Sequence, residues 1–131
     1  MRLLVDGMNV IGSRPDGWWK DRRKAMRMLV ARLRSYASRS GDSVVVFLDA
    51  RPFEFPEGSD PNVEVVFAFP GRDAADDEIV KAVEDRGDRP DRDDIRVVTS
   101  DRGLIGRLEQ LGIPVISSTA FRRRLDEEPG L

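Results

Sequence analysis

Short apolar runs alternate along this chain with longer segments in which apolar residues recur at intervals of three and four. Continuous apolar runs are typical of strands buried on both faces of a sheet, whereas the longer interval is typical of amphipathic helices. The pattern predicts strands at residues 3–5, 43–48, 63–69, 95–99 and 114–116. It predicts helices at residues 21–38, from 74 to about 87, 102–111 and 120–125. Because strands and helices alternate, we expect an α/β fold, a three-layer α/β/α sandwich with a mostly parallel central sheet.

One domain accounts for the whole chain in this interpretation. We assign residues 1–131 to it, with residues 126–131 as a frayed tail. Glycine and proline interrupt regular structure at residues 13–17 and 50–61, and the charged segment 88–94 is predicted to be a solvated linker. No stretch approaches the roughly 18 apolar residues of a membrane span, and Asp6 interrupts the apolar run that a signal peptide needs. We therefore expect a cytoplasmic protein.

The composition limits the chemistry that is available. The chain has no Cys and no His, which excludes disulfides, thiolate nucleophiles, the Ser-His-Asp triad and Cys-rich zinc sites. It has 24 acidic and 22 basic residues, so its net charge of −2 does not by itself favour nucleic acid. An enzyme of this composition would depend on carboxylates, Lys, Arg, hydroxyls and a bound metal. With oxygen donors only, that metal would be Mg²⁺ or Mn²⁺.

Carboxylates follow three of the five predicted strands, at Asp6, Asp49 and Asp101. Two more, Asp76 and Asp77, lie in the first turn of the helix that begins at residue 74. Because the carboxyl ends of parallel strands share one edge of a sheet, we expect these acids to converge there. Each also has an ordinary structural interpretation, since an Asp-Gly pair is a common turn signal and acids stabilise helix N-termini.

Converging carboxylates favour metal-dependent phosphoryl chemistry. Like charges in one cleft raise each other's pKa, and Mg²⁺ relieves the repulsion while leaving coordination positions for phosphate oxygens. Without His, water activated by a metal is the simplest route to hydrolysis of a phosphodiester. Other phosphate sites lack their signatures here: there is no P-loop, no Gly-x-Gly-x-x-Gly, no late-strand Lys of a receiver domain and no Asp-x-Asp of a haloacid-dehalogenase-type phosphatase.

A basic surface is predicted on the first long helix, because Asp21 is the only acid between Trp18 and Arg39. Basic side chains bind phosphate backbones and aromatic rings stack on bases, so we expect this surface to bind nucleic acid. The candidate substrate-binding cations, including two from a second basic cluster, are Lys20, Arg22, Arg23, Arg27, Arg122 and Arg123. The alternative for the basic residues is an ordinary solvated helix face. The alternative for Trp18 and Trp19 is a place in the core or in a homodimer contact that includes residues 53–56.

The acidic motifs together resemble those of a known family. Residues 5–12 (VDGMNVIG), 47–49 (FLD), 75–79 (ADDEI) and 99–101 (TSD) are similar, in order along the chain, to the motifs of the NYN domains, and in particular of the YacP-like branch. NYN domains are PIN-like, metal-dependent nucleases. Met8 stands where such families often have Tyr, a change that should not touch metal binding. The resemblance implies a PIN-like α/β/α fold and cleavage of RNA that depends on Mg²⁺ or Mn²⁺.

The resemblance also assigns roles by position. It names Asp6, Asp76 and Asp101 as the principal metal ligands and Asp49, Asp77, Asn9 and Ser100 as supporting groups. The two supporting acids would act as ligands or through water, and Asp76 is preferred to Asp77 because the Ala-Asp-x-x-Ile spacing matches. Asn9 would orient Asp6 or a scissile phosphate. Ser100 would bond a ligand carboxylate or a substrate oxygen.

Three functions fit these patterns. The leading hypothesis is a metal-dependent endoribonuclease whose RNA, single-stranded or ribosome-associated, lies along the basic helix with its phosphate over the acids. A PIN-like module that binds RNA or the ribosome without cleaving is the second. A metal-dependent phosphohydrolase of nucleotides is the third, although an extended basic surface fits a polymer better than a mononucleotide.

Overall fold

Strands and helices alternate through the part of the chain that the computed structural model describes, residues 1–55, 58–69, 74–85 and 94–127. The strands are β1 (Arg2–Asp6), β2 (Ser43–Leu48), β3 (Val63–Phe67), β4 (Ile95–Val98) and β5 (Val115–Ile116). The helices are α1 (Gly7–Ile11), α2 (Arg22–Ser40), α3 (Ala74–Asp85), α4 (Arg102–Gln110) and α5 (Ser118–Glu127), and a 3₁₀ helix spans Trp18–Lys20. No helix within these ranges is both long enough and apolar enough to cross a membrane. The predicted helix end near residue 87, most of the predicted linker (88–93) and residues 128–131 lie outside the described residues.

The described strands form one sheet in the order β3-β2-β1-β4-β5, and every pair of neighbours is parallel. β1 lies at the centre, where Val5 is aligned with Val46 of β2 and with Val98 of β4. Strands covered on both faces carry continuous apolar runs, which explains why β1 and β2 consist almost wholly of Leu, Val and Phe. The predicted α/β class is confirmed, and the sheet is parallel at every pairing.

Helices cover both faces of this sheet. Successive side chains of a strand point to opposite faces, so Leu3 and Val5 lie in one core and Leu4 in the other. The first core also contains buried residues of α2 and α5, such as Leu33 and Phe121. The second contains buried residues of α3 and α4. The predicted three-layer sandwich is therefore confirmed.

The ends of α2 follow from its sequence. The Asp21 carboxylate accepts a hydrogen bond from the backbone N–H of Lys24 at 3.1 Å, and the helix ends at Gly41, whose φ of 78° is left-handed. Its apolar positions are buried at the predicted intervals: Met26, Leu29, Val30, Leu33, Tyr36 and Ala37. The basic residues lie on the remaining faces.

The helix α1 was not predicted from the sequence, where an Asp-Gly turn and a loop were the structural alternatives. Gly7 is the first residue of α1 and its φ is not positive. A Cβ at Gly7 would lie 2.7 Å from Leu48 Cδ2 and 2.8 Å from the Phe47 carbonyl oxygen. Glycine is needed here because α1 passes directly over β2, and this close approach places the residues after Asp6 above the edge of the sheet.

The last helix is longer than predicted. Ser117 accepts a hydrogen bond from the backbone N–H of Ala120 at 3.1 Å, so the helix begins at Ser118 rather than at Ala120. Asp126, assigned to the tail from sequence, belongs to α5 and pairs with Arg14 and Arg32. Long-range ion pairs of this kind leave no local sequence pattern.

Candidate active site

The ends of three neighbouring strands bring acidic residues together. β1 ends at Asp6, Asp49 follows β2, and Asp101 follows β4 after two intervening residues. Since β2 and β4 flank β1 in parallel, these ends lie at one edge of the sheet. The charges of Asp101 and Asp49 both act on the Asp6 carboxyl. The structure thus assembles these three acids as the strand pattern predicts.

Asp6 is a buried acid, with 6% of its surface exposed. Burial raises the pKa of its carboxyl above the ordinary range because the charged form loses hydration, and the charges of Asp101 and Asp49 raise it further. The hydrogen bond from the Thr99 hydroxyl and, to a smaller extent, the nearby Asn9 backbone N–H act in the opposite direction. An ionised Asp6 is therefore unfavourable without a counter-charge, as is typical of functional sites.

Thr99 connects Asp6 to Asp101 through one hydroxyl. Its Oγ1 donates to Asp6 Oδ2 at 2.9 Å and accepts from the Asp101 backbone N–H at 3.1 Å. A hydroxyl has a single proton, so the bond from Asp101 directs that proton toward Asp6. Because Thr99 is fully buried, this arrangement fixes the orientation of the Asp6 carboxyl.

A second network lies beside these acids and contains Asn9, Ser100 and Ser118. Asn9 Oδ1 accepts from the Ser100 backbone N–H at 2.8 Å and from the Ser118 hydroxyl at 2.6 Å. Ser100 Oγ accepts from the Ser118 backbone N–H at 2.9 Å. No hydrogen bond joins the side-chain NH₂ of Asn9 to any of the described residues. The Asn9 side chain thus ties α1 to β4 and α5, while its backbone contacts Asp6.

One carboxylate oxygen of Asp101 has a structural role in capping a helix. Its Oδ1 accepts from the Leu104 backbone N–H at 2.9 Å and so caps α4. Its Oδ2 accepts no hydrogen bond from any described residue. In the described ranges, no group of three or more acidic side chains is arranged so that it could hold a metal ion.

The two acids of α3 differ in their surroundings. Asp77 is exposed and accepts from Arg107 of α4 at 2.9 Å, so it stabilises the contact between two helices. Asp76 is half-buried in the first turn of α3. Asp101 and Asp49 are acids that raise the pKa of Asp6. That the α3 pair also joins the acids at the strand ends stays a prediction.

A family model for the YacP-like NYN domain matches residues 3–130 of the chain. The chain belongs to the YacP-like NYN domain family. This family is a ribonuclease family, and the resemblance found in the sequence is confirmed.

Solved structures of the same family agree with this assignment of the NYN domain. The chain is similar to the crystal structure of Rae1 (YacP) from Bacillus subtilis and to that of a point mutant of the same protein, each with a TM-score of 0.77 and 27% sequence identity. These comparisons cover 96% and 95% of this chain, respectively, and 74% of the Rae1 chain. No curated protein matches the chain.

Most of the predicted substrate-binding cations of this NYN domain are exposed. These are Lys20, Arg22, Arg23, Arg27 and Arg123. The guanidinium groups of Arg23 and Arg27 each lie 5.3 Å from the centre of the Phe53 ring, a distance at which a cation interacts with the ring. Trp19 is 53% exposed, whereas Trp18 is half-buried against the first core.

Arg122 differs from the other cations because it is engaged within the NYN domain. It donates to the carbonyl oxygens of Val10 and Ile11 at 3.1 and 3.0 Å and pairs with Asp16 at 2.7 Å. These bonds hold α5 against the end of α1. Substrate binding by Arg122 stays a prediction, and its contacts give it a structural role.

Two site residues of the NYN domain were missed from sequence. In the sequence, Thr99 was named only as part of the motif at residues 99–101, and Ser118, just before the predicted last helix, was given no role in the site. Thr99 lies directly after an apolar strand and two residues before an acid, which is a usable signal for a residue that orients a carboxylate. Ser118 offers no such signal, because its partner Asn9 is 109 residues away.

Proposed function

We propose that this domain is a metal-dependent endoribonuclease that hydrolyses RNA phosphodiester bonds at the acidic edge of the sheet. The observation that supports the proposal most is the burial of Asp6 beside Asp101 and Asp49, which raises the pKa of Asp6 and calls for a counter-charge. Membership of a ribonuclease family supports RNA as the substrate class. Single-stranded RNA, free or ribosome-associated, is the form we expect.

The donor set at this edge fits a hard divalent cation. Every candidate ligand is an oxygen atom, and Asp6 and Asp101 would hold Mg²⁺ or Mn²⁺, with Asp49 acting through water. Mg²⁺ is commonly held by one or two carboxylates, with waters and substrate phosphates as its other ligands. Two carboxylates are therefore enough to bind Mg²⁺, and a third acidic ligand is not required. Asp76 is a further candidate ligand from α3.

The chain's own residues would position the reacting groups. Thr99 keeps the Asp6 carboxyl in one orientation through its 2.9 Å hydrogen bond. The Asn9 NH₂, whose direction is set by Ser100 and Ser118, would donate to a phosphate oxygen. The chemistry that a divalent ion supplies when bound is a lower pKa for water and positive charge near the phosphate oxygens.

Cleavage of labelled single-stranded RNA and DNA in Mn²⁺, Mg²⁺ or EDTA tests the proposal. We expect internal cleavage of RNA that requires a divalent ion and falls at least about 100-fold in Asp101→Asn. Asn is also a good N-cap, so this variant removes the charge while α4 keeps its cap. Asp85→Asn, which changes an exposed acid of α3, is the matched control and should cleave at the parent rate.

Other outcomes would favour the competing functions. RNA binding that is equal with and without EDTA, with no product in any divalent ion, would support a binding module. Release of phosphate from nucleoside triphosphates with RNA left intact would support a nucleotide phosphohydrolase. Calorimetry supplies a readout apart from activity, because Mn²⁺ should bind the parent and not Asp6→Asn.

A further inference from the structure

A cavity of about 380 Å³ lies between α1, α2 and α5, and the acids of the candidate active site, Asp6, Asp49 and Asp101, are not among the residues that line it. Its apolar wall includes Ile11, Leu29 and Leu125, and Trp18 lies along it half-buried. Pockets that bind small ligands have volumes of about 300–1,000 Å³ and mostly apolar walls. The cavity is therefore large enough for one ligand with a flat apolar part.

The charge around this cavity is positive. Lys20 and Lys24 lie at its edge, are exposed and pair with no acid among the described residues. Arg32 also lines the cavity, but its guanidinium is held by Asp126. The Asp21 carboxylate caps α2 but keeps its negative charge, and Asp16, which also lines the cavity, pairs with Arg122. The four cations of the lining still outnumber its two acids, and the ammonium groups of Lys20 and Lys24 are available to bind phosphate.

The cavity is close to the acidic edge of the sheet. The helix α1 begins at Gly7, next to Asp6, and ends at Ile11, which lines the cavity. Five helical residues extend over only about 7.5 Å. Asn9, in the middle of this helix, belongs to the network beside the acids. A chain that passes over the acids can therefore reach the cavity along α1.

We propose that this cavity binds one nucleotide of the RNA, with the base against Trp18 and a neighbouring phosphate on Lys20 and Lys24. This inference rests on the proposed function, because it places a second point of attachment for the same substrate at a fixed distance from the cleavage site. A base offers the flat apolar surface that an aromatic side chain stacks on, irrespective of its identity. The ligand class is thus a nucleoside monophosphate unit, which contains both the ring and the anion that the walls and the lysines favour.

Tryptophan fluorescence gives a direct test, since Trp18 and Trp19 are the only tryptophans in the chain. In a Trp19→Phe, Asp101→Asn variant kept in EDTA, we would titrate AMP, UMP, inorganic phosphate and a short single-stranded RNA. We expect saturable quenching of Trp18 by the nucleotides and the RNA, and much weaker quenching by inorganic phosphate. Lys20→Ala and Lys24→Ala should each raise the Kd for RNA by about tenfold. Each should also lower the slope of log Kd against log salt concentration by about one, since one phosphate contact is lost.

Lys81→Ala is the matched control, because Lys81 is the remaining lysine of the chain and lies on α3, over the other face of the sheet. It should leave the Kd for RNA unchanged. The proposal is overturned if Lys81→Ala weakens binding as much as the cavity variants, if phosphate alone quenches as strongly as nucleotides, or if nothing quenches. If the parent still cleaves RNA in those cases, the proposed function survives. Quenching by nucleotides in a protein that cleaves no RNA would instead overturn the proposed function alone.

Discussion

At the scale of single residues, Asp6 combines a position in the site with a destabilising effect on the fold. Its pKa is raised in the folded chain, mainly by burial, so folding favours the protonated form. Below the ordinary pKa of Asp, about 3.9, folded and unfolded chains are both protonated and no penalty arises. As the pH rises, the unfolded chain ionises first, and stability falls until Asp6 ionises in the folded chain as well.

Asp6→Asn should therefore stabilise the metal-free protein at neutral pH while it abolishes cleavage. The neutral amide avoids the cost of burying a charge beside two acids, and its oxygen can still accept from Thr99. Thermal unfolding in EDTA between pH 4 and pH 8 measures the effect. The difference in Tm should be small at pH 4, grow with pH and then level off. A variant less stable than the parent at pH 7 would contradict this account.

Ser118 is expected to act on catalysis through Asn9. Ser118→Ala removes one of the two donors to Asn9 Oδ1 but keeps the backbone bond to Ser100, so the fold should persist. Loss of a supporting hydrogen bond of this kind typically costs about 10- to 100-fold, and we expect it in kcat, with the Kd for RNA little changed. Thr119→Ala, the next and exposed residue of α5, is the control. An effect confined to Tm would show that Ser118 is only structural.

At the scale of elements, α3 presents its two acids differently. Asp77 is 68% exposed and paired with Arg107, and exposed pairs contribute about 0–1 kcal/mol. Asp77→Asn should leave cleavage within about threefold of the parent, whereas Asp76→Asn should lower it by about 100-fold if Asp76 is a ligand. Cleavage assays on the two variants compare neighbouring residues with the same change of charge. The reverse ranking would make Asp77 the ligand.

Asp126 is one of the residues that attach the helix α5 to the rest of the chain. Hydrogen bonds from Arg14 and Arg32 lower the pKa of this carboxyl to about 2. The stabilisation is therefore complete above the unfolded pKa of about 3.9 and is lost as the pH falls toward 2.

Asp126→Asn should lower the free energy of unfolding by about 1 kcal/mol at pH 7, since the pairs are partly exposed. Denaturant unfolding at pH 7 and at pH 2.5 measures this difference, which should shrink at the lower pH. The same loss at both values would mean that packing, not charge, is responsible.

At the scale of the whole molecule, the sequence predicted the regular elements well because their signal is local. Short, mainly apolar runs marked the strands, and Gly41 marked the end of α2. The convergence of Asp6, Asp49 and Asp101 followed from strand direction alone, since parallel strands must end at one edge.

What the sequence did not predict depends on contacts between distant residues. The α1 helix exists where Gly7 fits against β2, and no periodicity over five residues could indicate it. The role of Ser118 requires α5 to lie beside α1. Arg122 was predicted to bind RNA from its charge, but its bonds to the carbonyl oxygens of Val10 and Ile11 arise only in the folded chain.

The central position of β1 has a consequence for when the site can form during synthesis of the chain. Its neighbours β2 and β4 follow it in the chain, Asp6 is oriented by Thr99, 93 residues later, and Asn9 by Ser118, 109 residues later. At a synthesis rate of about 5–20 residues per second, a ribosome makes Asn9 roughly 5–20 s before Ser118. A growing or prematurely released chain thus contains acids of the site without their arrangement. The site is assembled only once the last helix has been made.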